Sequence, residues 1–411
     1  MSTYPTVQPS ITLDFQKSKQ LDPRIAFSRS SAATYVEGGL VKNAYTDQAR
    51  FEEDKGLLIE ESRTNLIPNS QVFQTGFILG AFTSVDNAAV APDGTTTAAS
   101  ILETAATTGH YVQLSSTSQN NLSQSIFVKP AGRDNICVRF VTSGNDWYTI
   151  TFNLTGNGSI TQEVPSTSSN WNINSKSITP LSNGWYRISV GATTSAATTY
   201  IFSILGCDSS TPTLVSQYGF PSYTGDITKG YYVWGGQVEA NTFPTSYIPT
   251  AGSTVTRAPD QAILSGTNVT SWYNITEGTV CSKAMSPLDL TTSRLVWHFR
   301  DPGRKEHNAD NGFQWYDIGT GYSTNGFTYV AGVFNKQAYA YSSVVGSSTR
   351  ACLNGTFLYD KTVDPNITPS AHTTLSLGSN VGVNIFVNGY IQRFSYYTRR
   401  LTDAELQTIT S

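Results

Sequence analysis

The sequence predicts an all-β protein: two antiparallel, jelly-roll-like β-sandwiches in tandem behind an extended N-terminal arm. Three observations carry this expectation. Only 13% of the 411 residues are charged, against roughly 25% in ordinary soluble domains, while Tyr (22) and Phe (19) are plentiful and Ser, Thr, Gly and Asn abundant. Few segments hold the density of Ala, Leu, Glu and Lys that sustains a long helix, and only 2 Met occur. Short runs of β-branched and aromatic residues alternate with turn chemistry at the spacing of a sandwich. A chain of 411 residues exceeds one ordinary core, so two or three domains are expected.

Taken in order, residues 1–20 read as an arm. The stretch Met1 to Ile11 holds two prolines and little to pack, and such an arm docks onto a partner. From Ile11 to Asn65 come short β pieces, Ile11–Phe15 and Ala33–Val36, and then the apolar run Gly56–Glu60, too few for a sandwich of their own, so residues 21–66 are expected to pack on the next domain. Residues 67–258 form the central sandwich. Its strands are placed at Ser123–Val128, Ile136–Val141, Trp147–Phe152, Trp185–Val190, Thr199–Leu205 and Tyr231–Val238, with turns such as Ser182-Asn-Gly184 between them. In Tyr231–Ala240, Gly235 and Gly236 bend a strand that closes the sandwich, and Pro249 stops further pairing. Residues 259–411 form the second sandwich. Its strands are placed at Gly278–Lys283, Arg294–Phe299, Phe327–Val333, Gln337–Tyr341, Thr373–Leu377 and Gly389–Tyr397, followed by a short helix capped by Thr402 or Asp403, with Leu406 and Ile409 on one face.

A net charge of −3 and a pI near 5.8 give no general attraction to nucleic acid or anionic lipid. Cys137, Cys207, Cys281 and Cys352 stand far apart without a Cys-x-x-Cys pair, which favours small buried hydrophobes over a zinc site or a disulfide framework. No basic leader with an apolar core and no run of about 18 apolar residues occurs, so a soluble chain made in the cytoplasm, with no membrane insertion, is expected.

Four co-ordered segments carry a resemblance: Phe27-Ser-Arg-Ser-Ser-Ala-Ala-Thr-Tyr35, Ala49-Arg-Phe51, Gly56-Leu-Leu-Ile-Glu-Glu-Ser-Arg-Thr-Asn-Leu66, and Trp234-Gly-Gly-Gln-Val-Glu239 with Thr245-Ser-Tyr-Ile-Pro-Thr250 and Thr256-Arg257. Together they resemble fibre or head-spike structural proteins of tailed bacteriophages. The last 150 or so residues, through Gly389–Arg399 and Leu401–Leu406, are similar to concanavalin A-like, laminin-G-type jelly rolls. The resemblance implies a virion location on tail or capsid, attachment to other virion proteins through the arm, and binding of host-surface glycan or protein by a homotrimer whose weak contacts gain avidity. A capsid-decorating or joining protein without glycan binding is the first alternative. A polysaccharide depolymerase is the second.

The chemistry-bearing residues favour binding over catalysis. A glycosidase needs two close carboxylates. After Asp260 the acids Asp289, Asp301, Glu306, Asp310, Asp317, Asp360 and Asp364 are scattered, and no Gly-x-Ser-x-Gly or His-Glu-x-x-His occurs, so no catalytic residue is assigned. Glu60 or Glu61 with Arg63 reads as a structural ion pair. Aromatic faces stack on pyranose C–H faces. Trp315, Tyr316 and Tyr322, beside a polar loop over 301–312, are the candidate glycan contacts, with Trp171, in the polar run Ser168–Asn172, as an exposed fourth. Trp185 and Trp234 are assigned to the core. In the same loop Asp301 and Asp310 offer oxygen ligands for calcium, with a solvated hairpin as the plainer reading. No cofactor is otherwise implied.

Overall fold

The computed structural model describes residues 6–142, 146–286, 294–300, 305–310, 312–317, 320–325, 330–342, 348–362, 372–380 and 385–411. The chain is all-β, with antiparallel sheets and a few short helices, and it divides into two compact units. One unit gathers residues 1–32, 44–62 and 258–411; the other gathers 33–43 and 63–257.

The first unit is a sandwich of two sheets. One runs through Thr356–Thr362, Ser348–Leu353, Asn335–Ser342, Glu277–Met285, Gly389–Tyr397, Gly56–Ile59 and Arg50–Glu52. The other runs through Ala26–Ser28, Gln261–Ser265, Thr374–Leu377, Leu295–Arg300, Lys305–Asp310, Gly312–Asp317 and Thr320–Asn325. Leu13, Ile59, Val280 and Ile391 from the first meet Leu264, Trp297, Phe299 and Leu375 from the second in one apolar core.

Two expectations about the N-terminus are corrected here. The β piece read at Ile11–Phe15 is the strand Ile11–Asp14, which pairs with Arg393–Tyr396, so the arm expected over 1–20 is tied down from Ser10 onward. Of the segment expected over 21–66, residues 33–43 and 63–66 cluster with the central sandwich, whereas 44–62 cluster with 258–411. Their Gly56–Ile59 strand pairs with Gly389–Ile391, which satisfies its backbone and places Leu57 and Ile59 in this unit's core. The strand placed at Phe327–Val333 is also corrected in part: 327–329 lie outside the described residues, and Ala331–Gly332 form a turn with Gly332 at φ +72°.

Residues of the first three resemblance segments, joined by Asp260, meet inside this unit. Arg29 Nη1 donates to Asp260 at 3.0 Å, Arg50 donates to the other Asp260 oxygen, and Arg50 Nη1 donates to Glu60 at 2.8 Å. All four side chains are buried, two cations balancing two anions. Burial opposes the Arg50 charge, but Asp260 and Glu60 beside it hold the guanidinium above its usual range. Of the two acids expected to meet Arg63, Glu60 accepts from Arg50 Nη1 at 2.8 Å and the Glu61 carboxylate accepts from Asn388 at 2.9 Å.

Thr402 caps the Asp403–Thr410 helix in a reciprocal box with Glu405. The Arg399 guanidinium, bonded to Glu405 through both oxygens, and the Thr402 N–H together hold that carboxyl down at about 2 against its burial. A depressed carboxylate contributes stability that is complete above its ordinary value of about 4.5 and is lost as pH falls toward about 2. Glu405→Gln is therefore expected to cost about 1 kcal/mol at neutral pH and to flatten the loss of stability across that acid window, read by urea titrations at stepped pH.

The second unit is built on two long strands, Tyr111–Ala131 and Tyr186–Cys207, paired along most of their length with register shifts between Ser115 and Ser118 and between Gln119 and Asn121. The strands expected separately at Trp185–Val190 and Thr199–Leu205 merge, from Tyr186 onward, into the second of these. The Tyr111 end continues into Asn135–Thr142, Trp147–Asn153 and Ser159–Pro165, and the Ala131 end into Gly230–Glu239, Ala98–Glu103 and Phe82–Ala89. Bending at the register shifts folds this ten-stranded sheet over one core, in which Val138, Phe140 and Phe202 meet Ile126, Ile188 and Val233. Gly230–Glu239 lies between two partners, so it is an interior strand and not the closing one. Its bend is real: pairing slips by one residue between Ser125 and Phe127, where Gly235 adopts φ +63° and an added Cβ would lie 2.9 Å from the Phe127 ring.

The remaining motif residues clamp the irregular chain from 241 to 250. Asn65 donates to the carbonyls of Gly236 and Ile248 and accepts from the N–H groups of Val238 and Ile67. Gln237 Oε1 accepts the Ile248 N–H at 2.7 Å, and Glu239 accepts the N–H and hydroxyl of Thr245 at 2.8 and 2.6 Å. A buried segment without strand pairing needs such side-chain partners for its peptide groups.

Candidate functional site

The predicted glycan contacts of the first unit fall on two neighbouring strands, Gly312–Asp317 and Thr320–Asn325, at one end of its seven-stranded sheet. The register sets Trp315 opposite Tyr322 on one side and His307 on the other, and Tyr316 opposite Gly321 and Glu306. The stretch 301–312, read as a polar loop, contains the Lys305–Asp310 strand, paired on both edges. Asp310 ends that strand opposite Gly312, and Asp301 lies outside the described residues. Among the described residues no group of three His, Cys, Asp or Glu is arranged to hold a metal ion.

Trp171 is corrected from an exposed contact to a core residue. It is 6% exposed, its ring lies 5.2 Å from Phe140 and 6.1 Å from Tyr200, and Nε1 donates to the Asp146 carbonyl at 3.3 Å. The cause is Asp146, whose carboxylate accepts from Asn170 and Ser166 and so draws the polar run inward.

The second unit carries a site that the sequence reading did not single out. Strand alternation sends Val138 and Phe140 into the core and Cys137, Arg139 and Val141 to the opposite face. On that face the register lines up Thr149, Arg139, Ser203 and Gln113 across four strands, a row of hydroxyl, guanidinium and amide groups. Gln113 Nε2 donates to Ser203 Oγ at 3.3 Å, and Arg139 Nη2 donates to the same oxygen at 3.3 Å.

A strap of chain, bridged at Leu214 and Pro221, lies over the row. Thr149 Oγ1 donates to the Gly219 carbonyl at 2.6 Å, Trp147 Nε1 to that of Ser216 at 3.2 Å, and Arg139 Nη1 to that of Tyr218. Gly219 is required there: its φ is +68° and an added Cβ would lie 2.2 Å from the Trp147 ring. The strap carries Tyr218 and Phe220 as a nearly parallel stack, 5.4 Å apart at 3°, with Tyr218 38% exposed. Phe220 lies 6.1 Å from Tyr111 and 5.7 Å below the Arg139 guanidinium carbon.

Arg139 is 4% exposed, and its hydrogen-bond partners among the described residues are a carbonyl and a hydroxyl, not a carboxylate. Burial holds its pKa down to about 10. Arg133 shows the usual arrangement, bonded through Nε and Nη2 to the two oxygens of Glu103 at 2.8 Å each. The one signal in the sequence was a lone charge inside the apolar run Ile136–Val141.

No family model and no curated protein matches the chain. Solved structures give partial likenesses. Domain 4 of AbnA, a GH43 extracellular arabinanase from Geobacillus stearothermophilus in complex with arabinotriose, is 15% identical, with 42% of this chain and 84% of that chain covered at a TM-score of 0.31. The CBM40 of Ruminococcus gnavus IT-sialidase bound to α2,3-sialyllactose is 15% identical, with 34% and 84% covered at 0.28. The receptor-binding domain of botulinum neurotoxin D is 13% identical, with 37% and 41% covered at 0.29. These likenesses concern the β-sandwich fold alone.

Proposed function

We propose that this chain is a non-catalytic fibre or spike subunit of a bacteriophage particle, engaging a host-surface glycan or protein through its β-sandwiches. One observation supports this most directly: the segments that carry the resemblance to phage fibre and spike proteins are the ones whose polar side chains build the two buried clamps, at Asp260 and at Asn65 with Glu239. The likeness is thus one of structural frame, which leaves strand faces and loops free to vary for binding. The Trp315, Tyr316 and Tyr322 strands of the first unit are the proposed glycan platform, and trimerisation adds avidity to its weak contacts.

A glycan array probed with the purified chain tests this. The expected result is binding to a limited set of saccharides that weakens about tenfold or more in Trp315→Ala, the loss of one aromatic stacking contact. No saccharide binding in any arm sinks adhesion to glycan and favours the decorating or joining protein. Retained binding in Trp315→Ala moves the site off these strands.

A further inference from the structure

We infer that the Arg139 row of the second unit is a binding site for an anionic group carried on a sugar, a carboxylate or sulfate, with the sugar ring laid against Tyr218. Three observations converge on it. Among the described residues Arg139 is a buried cation whose partners are the neutral Tyr218 carbonyl and Ser203 hydroxyl, and its Nε makes no hydrogen bond. An arginine fork matches a carboxylate or sulfate in geometry and charge, and a buried charge without a counter-ion is a cost that a bound anion removes. Ser203 and Gln113 extend the row with the hydroxyl and amide chemistry that fixes ring hydroxyls. Directly above, the Tyr218 and Phe220 stack supplies a half-exposed aromatic face.

The route in is set by how the strap is held. Within itself it is closed by the Leu214 and Pro221 bridge and by the Val215 N–H bond to the Phe220 carbonyl at 2.9 Å. It is tied to the sheet's polar face by the bonds to the Ser216, Tyr218 and Gly219 carbonyls. Lifting it breaks the Arg139 bond to Tyr218, and the incoming anion takes that place on the guanidinium. No covalent step is involved. The row belongs to the second unit and the Trp315 strands to the first, so the site does not depend on that platform.

The test is an array of uronic-acid and sulfated saccharides printed beside their neutral parents, with free acetate and sulfate as competitors in solution. The expected result is binding of acidic saccharides at low salt, weakened as salt rises, and lost at least tenfold in Arg139→Met and in Tyr218→Ala. The melting temperature of unliganded Arg139→Met is expected to equal or exceed that of the parent, because an apolar side chain carries no buried charge. A clear fall in that melting temperature with acidic-sugar binding retained overturns the inference and makes Arg139 a fastening for the strap. So does competition by acetate or sulfate as effective as that of the saccharides, which leaves an adventitious ion only. Tyr218→Ala, altered at an exposed ring, keeps the test open if Arg139→Met does not fold. Binding confined to neutral sugars and sensitive to Trp315→Ala overturns this site while sustaining the adhesion reading.

Discussion

Asp260→Asn is expected to lower the unfolding free energy of the first unit by about 3–5 kcal/mol. The substitution keeps the shape of the side chain and removes its charge, taking from Arg29 and Arg50, both buried, the carboxylate that bridges them. Breaking a buried ion network from one side is costly because the remaining charges stay in a poorly polarisable interior. The change also weakens the tie between Asp260 and the Glu60 N–H, which joins residues 200 apart in the sequence. Urea denaturation measures the loss, and hydrogen exchange locates it: faster exchange in Gly56–Ile59 and Gly389–Tyr397 is the expected pattern. A double-mutant cycle with Arg50→Met should be strongly non-additive, since removing both partners restores charge balance around Arg29 and Glu60. A loss below about 1 kcal/mol for Asp260→Asn alone would show that the network does not hold the unit together.

Trp234→Ala should cost the second unit a similar amount, about 3–5 kcal/mol. Trp234 is fully buried, with Phe127 at 5.3 Å and Tyr247 at 4.7 Å around its ring, and Nε1 donates to Thr97 at 3.0 Å. Alanine there opens a cavity that the bulge at Gly235 keeps from collapsing, because the backbone is fixed by the Phe127 and Tyr247 rings on either side. Trp234→Phe fills most of the space and loses the hydrogen bond, so about 1–2 kcal/mol is expected. Equal effects of the two substitutions on urea midpoints would mean that the hydrogen bond, and not the volume, carries the contribution.

Much of the local structure was legible in the chain. Ile136–Val141, Trp147–Phe152 and Gly389–Tyr397 lie within observed strands because alternation and β-propensity act over neighbouring residues. The Thr402 cap and the Gly235 bend were legible for the same reason. The site in the second unit was not. Arg139 shows in the sequence only as a charge in an apolar run, and the strap that gives it meaning lies 79 residues further on.

Trp171 illustrates the opposite error, since its polar neighbours suggested exposure while their partner, Asp146, stands 24 residues before Asn170. The division into units was likewise hidden: residues 44–62 join 258–411 through pairings such as Leu58 with Tyr390. By itself the sequence determined an all-β class and the positions of some of its strands. Only the tertiary structure decided which strands pair, which unit each segment joins, and that Arg139 lies buried with a carbonyl and a hydroxyl as its partners among the described residues. Strand propensity is a property of adjacent residues, whereas pairing and charge compensation are chosen among groups the chain brings together only on folding.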